Sequence, residues 1–150
     1  MDLVPDFELP ATGAQRFRLT ALRGSPLVLY FYPKDDTPGC TDEGLQFTQL
    51  HDEFVALKCT ILGISRDTVA SHEKFRAKMG FPFHLLSDEE EVACTLFGVM
   101  KIKNMYGKQV RGIERSTFLI DREGRLAEAW RGVKVPGHAQ IVLDAVKRLS

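Results

Sequence analysis

Leu27-Val28-Leu29-Tyr30-Phe31-Tyr32, closed by Pro33, is an unbroken apolar run rich in strand formers. Such a run reads as a central strand covered on both faces, since a half-exposed strand would alternate with polar residues. Pro33 ends it, because proline cannot donate to a ladder. Downstream, the periodicity predicts a helix from about Thr37 to Leu57, a strand over Cys59 to Ser65, and a helix over Val69 to Met79. A short helix from Asp88 to Phe97 follows, then a strand from Arg115 to Asp121. The turn Asp121-Arg122-Glu123-Gly124 leads to a partner strand ending near Arg131, and a helix over His138 to Leu149 closes the chain. Upstream, Asp6 to Leu19 suits a small hairpin. Strand, helix and strand, then helices, then two adjacent strands and a last helix describe an α/β protein with a central mixed sheet flanked by helices.

The 150 residues suit one domain, 1–150, with no repeat or linker, and a chain of this size buries roughly 70% of its extended surface on folding. Lys plus Arg and Asp plus Glu are balanced at 20 each, so no global field draws the chain to nucleic acid or anionic lipid. Leu27 to Tyr32 is too short to span a bilayer. The opening Met1-Asp2-Leu3-Val4-Pro5-Asp6 is acidic and proline-broken, unlike a secretory leader. Three irregularly spaced cysteines argue against a secreted disulfide framework. A cytoplasmic protein is expected. No metal or organic cofactor is called for, since His51, His72, His84 and His138 are scattered and no cysteine pair has ligand spacing.

The chemistry lies in Pro33-Lys34-Asp35-Asp36-Thr37-Pro38-Gly39-Cys40-Thr41-Asp42-Glu43. Thr37 followed by Pro38 signals a helix start, with Thr at the N-cap and Pro at the first helical position. Cys40 then falls in the first turn, where free N–H groups and the helix dipole favour a thiolate. The apolar stripe Phe47, Leu50, Phe54 and Leu57 faces the sheet. At 100° per residue Cys40 lines up with Phe47, Glu43 falls near the middle of the stripe, and Leu45 points to the exposed side. A carboxylate so placed needs a cation, and Arg115, at the head of the Ser116-Thr117-Phe118-Leu119-Ile120 strand, is the nearest in fold terms.

These residues resemble the peroxiredoxins. Pro33, Thr37 and Cys40 reproduce the family's spacing of Pro, three residues, Thr, two residues, Cys. The string from Tyr32 through Thr37-Pro38-Gly39-Cys40-Thr41 is similar to the peroxiredoxin Q, or bacterioferritin comigratory protein, branch. The likeness runs on through Leu62-Gly63-Ile64-Ser65, Leu86-Ser87-Asp88-Glu89, Phe97-Gly98-Val99 and Arg115-Ser116-Thr117-Phe118-Leu119-Ile120-Asp121. It implies a thioredoxin-like fold, here with an N-terminal β-hairpin extension. It also implies a thiol-dependent peroxidase that reduces hydrogen peroxide and organic hydroperoxides through Cys40 sulfenic acid. In that reading Thr37 and Arg115 act on the peroxide, Pro33 shields the pocket and Glu43 orients the arginine. The reductant would be thioredoxin, glutaredoxin or a small thiol, and the chain a monomer, with a dimer as the alternative. A thiol-disulfide oxidoreductase on the same fold would need Cys-x-x-Cys, and the second position is Glu43. A redox-sensing binding module is the non-enzymatic alternative.

The chain departs from its relatives at both places where they keep a resolving cysteine. Five residues beyond Cys40 stands Leu45, and in the next helix stands Arg76. Cys59, opening the strand Ile61-Leu62-Gly63-Ile64, reads as structural. Cys94 is expected to point roughly 130° away from an apolar side made by Val92, Ala93, Leu96 and Phe97. A one-cysteine cycle with an external thiol is therefore expected, and resolution by Cys94 is the alternative.

Overall fold

The computed structural model describes residues 2–149, so Met1 of the acidic opening and Ser150 lie outside the description. In chain order the elements are β1 (Glu8–Ala11), β2 (Gln15–Arg18), a single 3-10 turn (Leu19–Leu22), β3 (Leu27–Phe31), α1 (Pro38–Gln49) and α2 (His51–Ala56). Then come β4 (Thr60–Ser65), α3 (Val69–Met79), β5 (His84–Ser87), α4 (Val92–Leu96), β6 (Met100–Met105) and β7 (Lys108–Ile113). The chain ends with β8 (Ser116–Ile120), β9 (Leu126–Arg131) and α5 (His138–Leu149).

All five residues of β3 are buried, and the strand lies between two partners in the sheet order β2-β1-β5-β4-β3-β8-β9. It runs parallel to β4 and antiparallel to β8, with Phe31 opposite Ile64 on one side and Ser116 on the other. The N-terminal hairpin joins the same sheet through Ala11 opposite Leu86. The mixed sheet with flanking helices is the thioredoxin-like arrangement expected.

Successive strand side chains point to opposite faces, so β3 feeds two separate cores. Val28, Tyr30 and Tyr32 pack with Cys40, Phe47, Phe54, Phe75, Val142 and Val146, under α1, α2, α3 and α5. Leu27, Leu29 and Phe31 pack on the other face with Leu19, Ala93, Cys94, Phe97 and Phe118.

Three features differ from the sequence reading. The expected helix over Thr37 to Leu57 breaks at Leu50, whose φ of −99° and ψ of 1° leave the helical region. Thr48 contributes by donating its hydroxyl back to the Gly44 carbonyl at 2.7 Å, a bond that bends helices. The helix expected over Asp88 to Phe97 contracts to Val92–Leu96, because residue 91 adopts a left-handed φ of 59°. Finally, β6 and β7 form an antiparallel ribbon outside the main sheet, turning at Tyr106 and Gly107 with φ of 53° and 76°. Both residues at positive φ give the turn that matches strand twist.

Gly44 lets α1 approach the sheet. A Cβ there would fall within contact distance of the buried Phe81 ring, which is stacked on Phe83 and edged by Phe75. Gly44→Ala is expected to destabilise the protein by about 1–3 kcal/mol, measurable as a lower midpoint in urea. An unchanged midpoint would mean that Phe81 moves freely.

Candidate active site

Three segments converge at the end of the sheet where β3 stops. The last ladder bond of the first segment is from the Tyr32 N–H to the Ile64 carbonyl, 3.1 Å. Pro33 follows immediately and is exposed, a strand terminator at the rim. The chain then turns through Asp36, at a left-handed φ of 57°, into α1. Thr37 takes the N-cap backbone position, φ −106° and ψ 154°, with Pro38 in the first turn. Its side chain, however, does not cap the helix as expected. The Thr37 hydroxyl donates backwards to the Lys34 carbonyl at 2.8 Å. The first intrahelical bond is Thr41 N–H to Thr37 carbonyl at 2.9 Å, so the Cys40 N–H lies ahead of it, among the donors a helix start leaves free.

Cys40 is 2% exposed and lies against Tyr30, Tyr32 and Phe47 in one core. Arg115 immediately precedes β8, whose Ser116 pairs with Phe31, so the register of the sheet delivers the guanidinium to this end. Its Nη1 donates to Glu43 Oε1 at 2.7 Å and its Nη2 to the Cys40 sulfur at 3.4 Å. Glu43 sits one turn along α1 from Cys40 and is 1% exposed. Its Oε2 has no hydrogen-bond partner among the described residues. Gly39 makes room for this arrangement, since a Cβ there would lie 3.0 Å from Arg115 Nη2.

The electrostatics follow from burial. Desolvation raises the Glu43 pKa to about 7 and outweighs the opposing pull of Arg115. Burial works against the charge of Arg115, yet Glu43 and Cys40 prevail and hold its pKa above the ordinary value. On the far side of Arg115, burial and then the guanidinium lower His138 to about 4. Its Nε2 lies 2.8 Å from the Thr117 hydroxyl.

The other two thiols lie apart. Cys59 is buried just ahead of β4, and desolvation pushes its thiol up to about 12. Cys94 is fully buried in the opposite core, which corrects the expected flank position. The buried side of α4 is Ala93 and Cys94, continued by Phe97, while Val92 and Leu96 are exposed. Asp88 produces this rotation by accepting the N–H groups of Val92 at 2.7 Å and Cys94 at 2.8 Å. Burial, reinforced by Asp88, holds the Cys94 thiol far above its usual range.

Sequence reading missed a polar cluster beside the site. Asp35 accepts from the Tyr32 hydroxyl at 2.6 Å and the Ser71 hydroxyl at 2.8 Å, and lies 2.7 Å from His72 Nδ1. His72, fully buried, also reaches the Leu86 carbonyl through Nε2 at 2.9 Å. Asp35, Asp67 and His72 bring three possible metal-ligand atoms within 4.8 Å of one another. Protein hydrogen bonds already engage each of them, so the cluster is a clasp between the 33–37 turn and α3. No short-range spacing signals it, because Asp35 stands more than thirty residues from Asp67, Ser71 and His72.

The model of the AhpC/TSA family matches residues 1–129. Peroxiredoxin Bcp of Xanthomonas campestris pv. campestris is 56% identical over 142 residues, covering 95% of this chain and 89% of that protein. Peroxiredoxin Bcp of Bacillus subtilis is 46% identical over 146 residues, covering 97% and 93%. The solved structure of the Xanthomonas campestris bacterioferritin comigratory protein, described in terms of alkyl peroxide reduction, superposes with a TM-score of 0.91 at 55% identity, covering 95% and 90%. The chain therefore belongs to the AhpC/TSA family, and as a peroxiredoxin it is a thiol-dependent peroxidase. A hydroperoxide substrate and a thiol reductant come with that activity. Among the described residues, no helix is long and apolar enough to cross a membrane.

Glu43 ties stability to pH. Its folded pKa of about 7 exceeds the ordinary 4.5, so the native state binds the proton more tightly than the unfolded chain. The resulting stability is complete below pH 4.5 and is lost as pH rises through about 7. Relative to Glu43→Gln, the wild type is expected to lose up to roughly 3 kcal/mol across that window. Urea denaturation at about pH 5 and about pH 8 measures it, and His138, present in both proteins, cancels. An equal difference at both pH values would contradict the assignment.

Proposed function

We propose that Cys40 is the residue that attacks the hydroperoxide, with Arg115, Thr37 and the Cys40 N–H holding the O–O bond. The observation that carries this reading is the single guanidinium shared between the Cys40 sulfur and the Glu43 carboxylate. The thiolate attacks the terminal peroxide oxygen. An S–O bond forms as the O–O bond breaks, and the departing alkoxide or hydroxide takes a proton to leave as alcohol or water. The product is Cys40 sulfenic acid. Ionisation alone is insufficient, since an ordinary thiol is already a few per cent thiolate at neutral pH and full ionisation gains about 30-fold at most. The rest of the acceleration comes from alignment and from charge stabilisation on the leaving oxygen.

Each group has a distinct part in this reading. Arg115 contributes a fixed positive charge, oriented by Glu43. The Thr37 hydroxyl has committed its proton to Lys34, so its oxygen is the acceptor for the O–H of the substrate. Pro33 ends the strand and shields the rim. One domain supplies all of them.

The cycle is of the one-cysteine type, closed by an external thiol that displaces water from the sulfenic acid and a second thiol that releases Cys40. The placements of the other two cysteines support this. Cys94 belongs to the core on the opposite face of the sheet from Cys40. Cys59 lies on the same face but at the far end of β4, five residues before Ile64, the partner of Phe31. At about 3.3 Å per residue that separation is roughly 16 Å, well beyond the ~7 Å between Cα atoms that a disulfide spans. The reductant is thioredoxin, glutaredoxin or a small thiol, in the cytoplasm, with exposed Leu45 near the site as a contact for it. The chain acts as a monomer.

Arg115→Ala is expected to raise the barrier of the peroxide step by about 2–4 kcal/mol, and Thr37→Ser to cost less. Stopped-flow oxidation of Cys40, with Cys40→Ser as the blank, measures both. A near-normal rate in Arg115→Ala would remove this arginine from the mechanism.

After one equivalent of peroxide, wild type and the Cys59→Ser/Cys94→Ser double variant are both expected to hold Cys40 as sulfenic acid, trapped and weighed by mass spectrometry, and to turn over equally on a small thiol. A quantitative Cys40–Cys94 or Cys40–Cys59 disulfide, with turnover lost in the double variant, would replace the one-cysteine cycle by a two-cysteine one.

A further inference from the structure

The peptide unit joining Lys34 to Asp35 makes two hydrogen bonds in opposite directions. Its N–H, on Asp35, donates to Asp67 Oδ2 at 2.9 Å. Its carbonyl, on Lys34, accepts the Thr37 hydroxyl at 2.8 Å. In a trans peptide the N–H and C=O lie in one plane and point opposite ways. Fixing the direction of one therefore fixes the other, and with it the acceptor that takes the Thr37 proton.

Asp67 is itself firmly anchored. Its Oδ2 accepts the Ser65 hydroxyl at 2.5 Å, its N–H reaches back to Ser65 Oγ at 3.2 Å, and its carbonyl accepts the Ser87 hydroxyl at 2.6 Å. Ser65 and Ser87 are register partners at the ends of β4 and β5. Asp67 is thus tied to the ends of two inner strands and presents a carboxylate to a turn that has no ladder bonds of its own. That turn contains Asp36 at a left-handed φ, a conformation uncommon outside glycine, asparagine and aspartate.

We propose that Asp67 is a positioning residue for the peroxide step, setting the direction of the Thr37 hydroxyl through the Lys34–Asp35 peptide. The inference rests on the role given to Thr37 above. With the carboxylate in place, the Thr37 proton is held on Lys34 and its lone pairs stay available to the O–H of a hydroperoxide. Without it, the peptide plane is free to rotate, and the hydroxyl spends part of its time with its proton directed at the substrate position. Asp67 acts on orientation, so it affects the reaction with peroxide and leaves the reaction of Cys40 with an electrophile that needs no alignment.

A double-mutant cycle tests this. Asp67→Ala is expected to slow stopped-flow oxidation of Cys40 by hydrogen peroxide about tenfold, with alkylation of Cys40 by iodoacetamide unchanged. Asp67→Asn, whose amide oxygen still accepts the Asp35 N–H, restores the rate to within about threefold of wild type. In a Thr37→Val background, Asp67→Ala is expected to cost less than about twofold more. If Asp67→Ala does not fold, Asp67→Gln, which displaces the acceptor, takes its place in the same cycle. A tenfold loss that persists in Thr37→Val, or a parallel loss of alkylation, would overturn the positioning role while leaving that of Thr37 intact. No effect of Thr37→Val alone would overturn the role of Thr37 and this inference with it.

Discussion

A buried carboxylate and a buried guanidinium are each costly alone, and Glu43 and Arg115 make that cost bearable only by meeting at 2.7 Å. The pair joins α1 to the head of β8, elements more than seventy residues apart in sequence. It therefore fixes how α1 is rotated on the sheet. With Glu43 turned inward, Cys40, one helical turn earlier, must face the same cation. The sulfur receives its Arg115 contact as a consequence of the ion pair, and Gly39 admits the guanidinium between them. The register of β8 against β3 does the remaining work, because Ser116 opposite Phe31 puts Arg115 at the end of the sheet where α1 begins.

The readings that succeeded were those in which local chemistry and tertiary demand agree. Leu27 to Tyr32 is apolar throughout because both faces are covered, and no other element type suits so short and uniform a run. Thr37-Pro38 marks a helix start whatever surrounds it, and the 3.6-residue stripe through Phe47 and Phe54 aimed both Cys40 and Glu43 inward. The readings that failed lacked such agreement. At α4 a five-residue helix is too short for its stripe to define a face, and two backbone bonds to Asp88 decided its rotation. The Thr37 hydroxyl is expected to accept from the helix N–H groups, yet it donates to the Lys34 carbonyl three residues back in the turn. The clasp depends on bringing Asp35 to Asp67 and His72 across more than thirty residues, which local spacing does not signal.

The two cores divide the three thiols into different chemical situations. Cys40 and Cys59 share one face of the sheet and Cys94 lies on the other. Among the described residues, only Cys40 has a hydrogen-bonded cation beside it. Burial keeps the proton on the sulfur of Cys59 and, reinforced by Asp88, on that of Cys94, and a thiol so held is a poor nucleophile. The sheet thus keeps Cys94 apart from Cys40 as well as supporting both cores.

The β6–β7 ribbon stands outside the main sheet, and an isolated strand pair offers outer backbone groups to any similar pair that drifts past. Between residues 100 and 113 the chain carries Lys101, Lys103 and Lys108, besides Arg111 paired with Glu91, and no acidic side chain. Two such ribbons approaching edge to edge would set like charges against each other across a strand spacing of about 4.8 Å. Exposed Ile102, Met105 and Val110 make the ribbon sticky, and its cations make it sociable only toward surfaces unlike itself. The same residues that hide the ribbon from a hydrophobic reading of the sequence act as its guard against polymerisation.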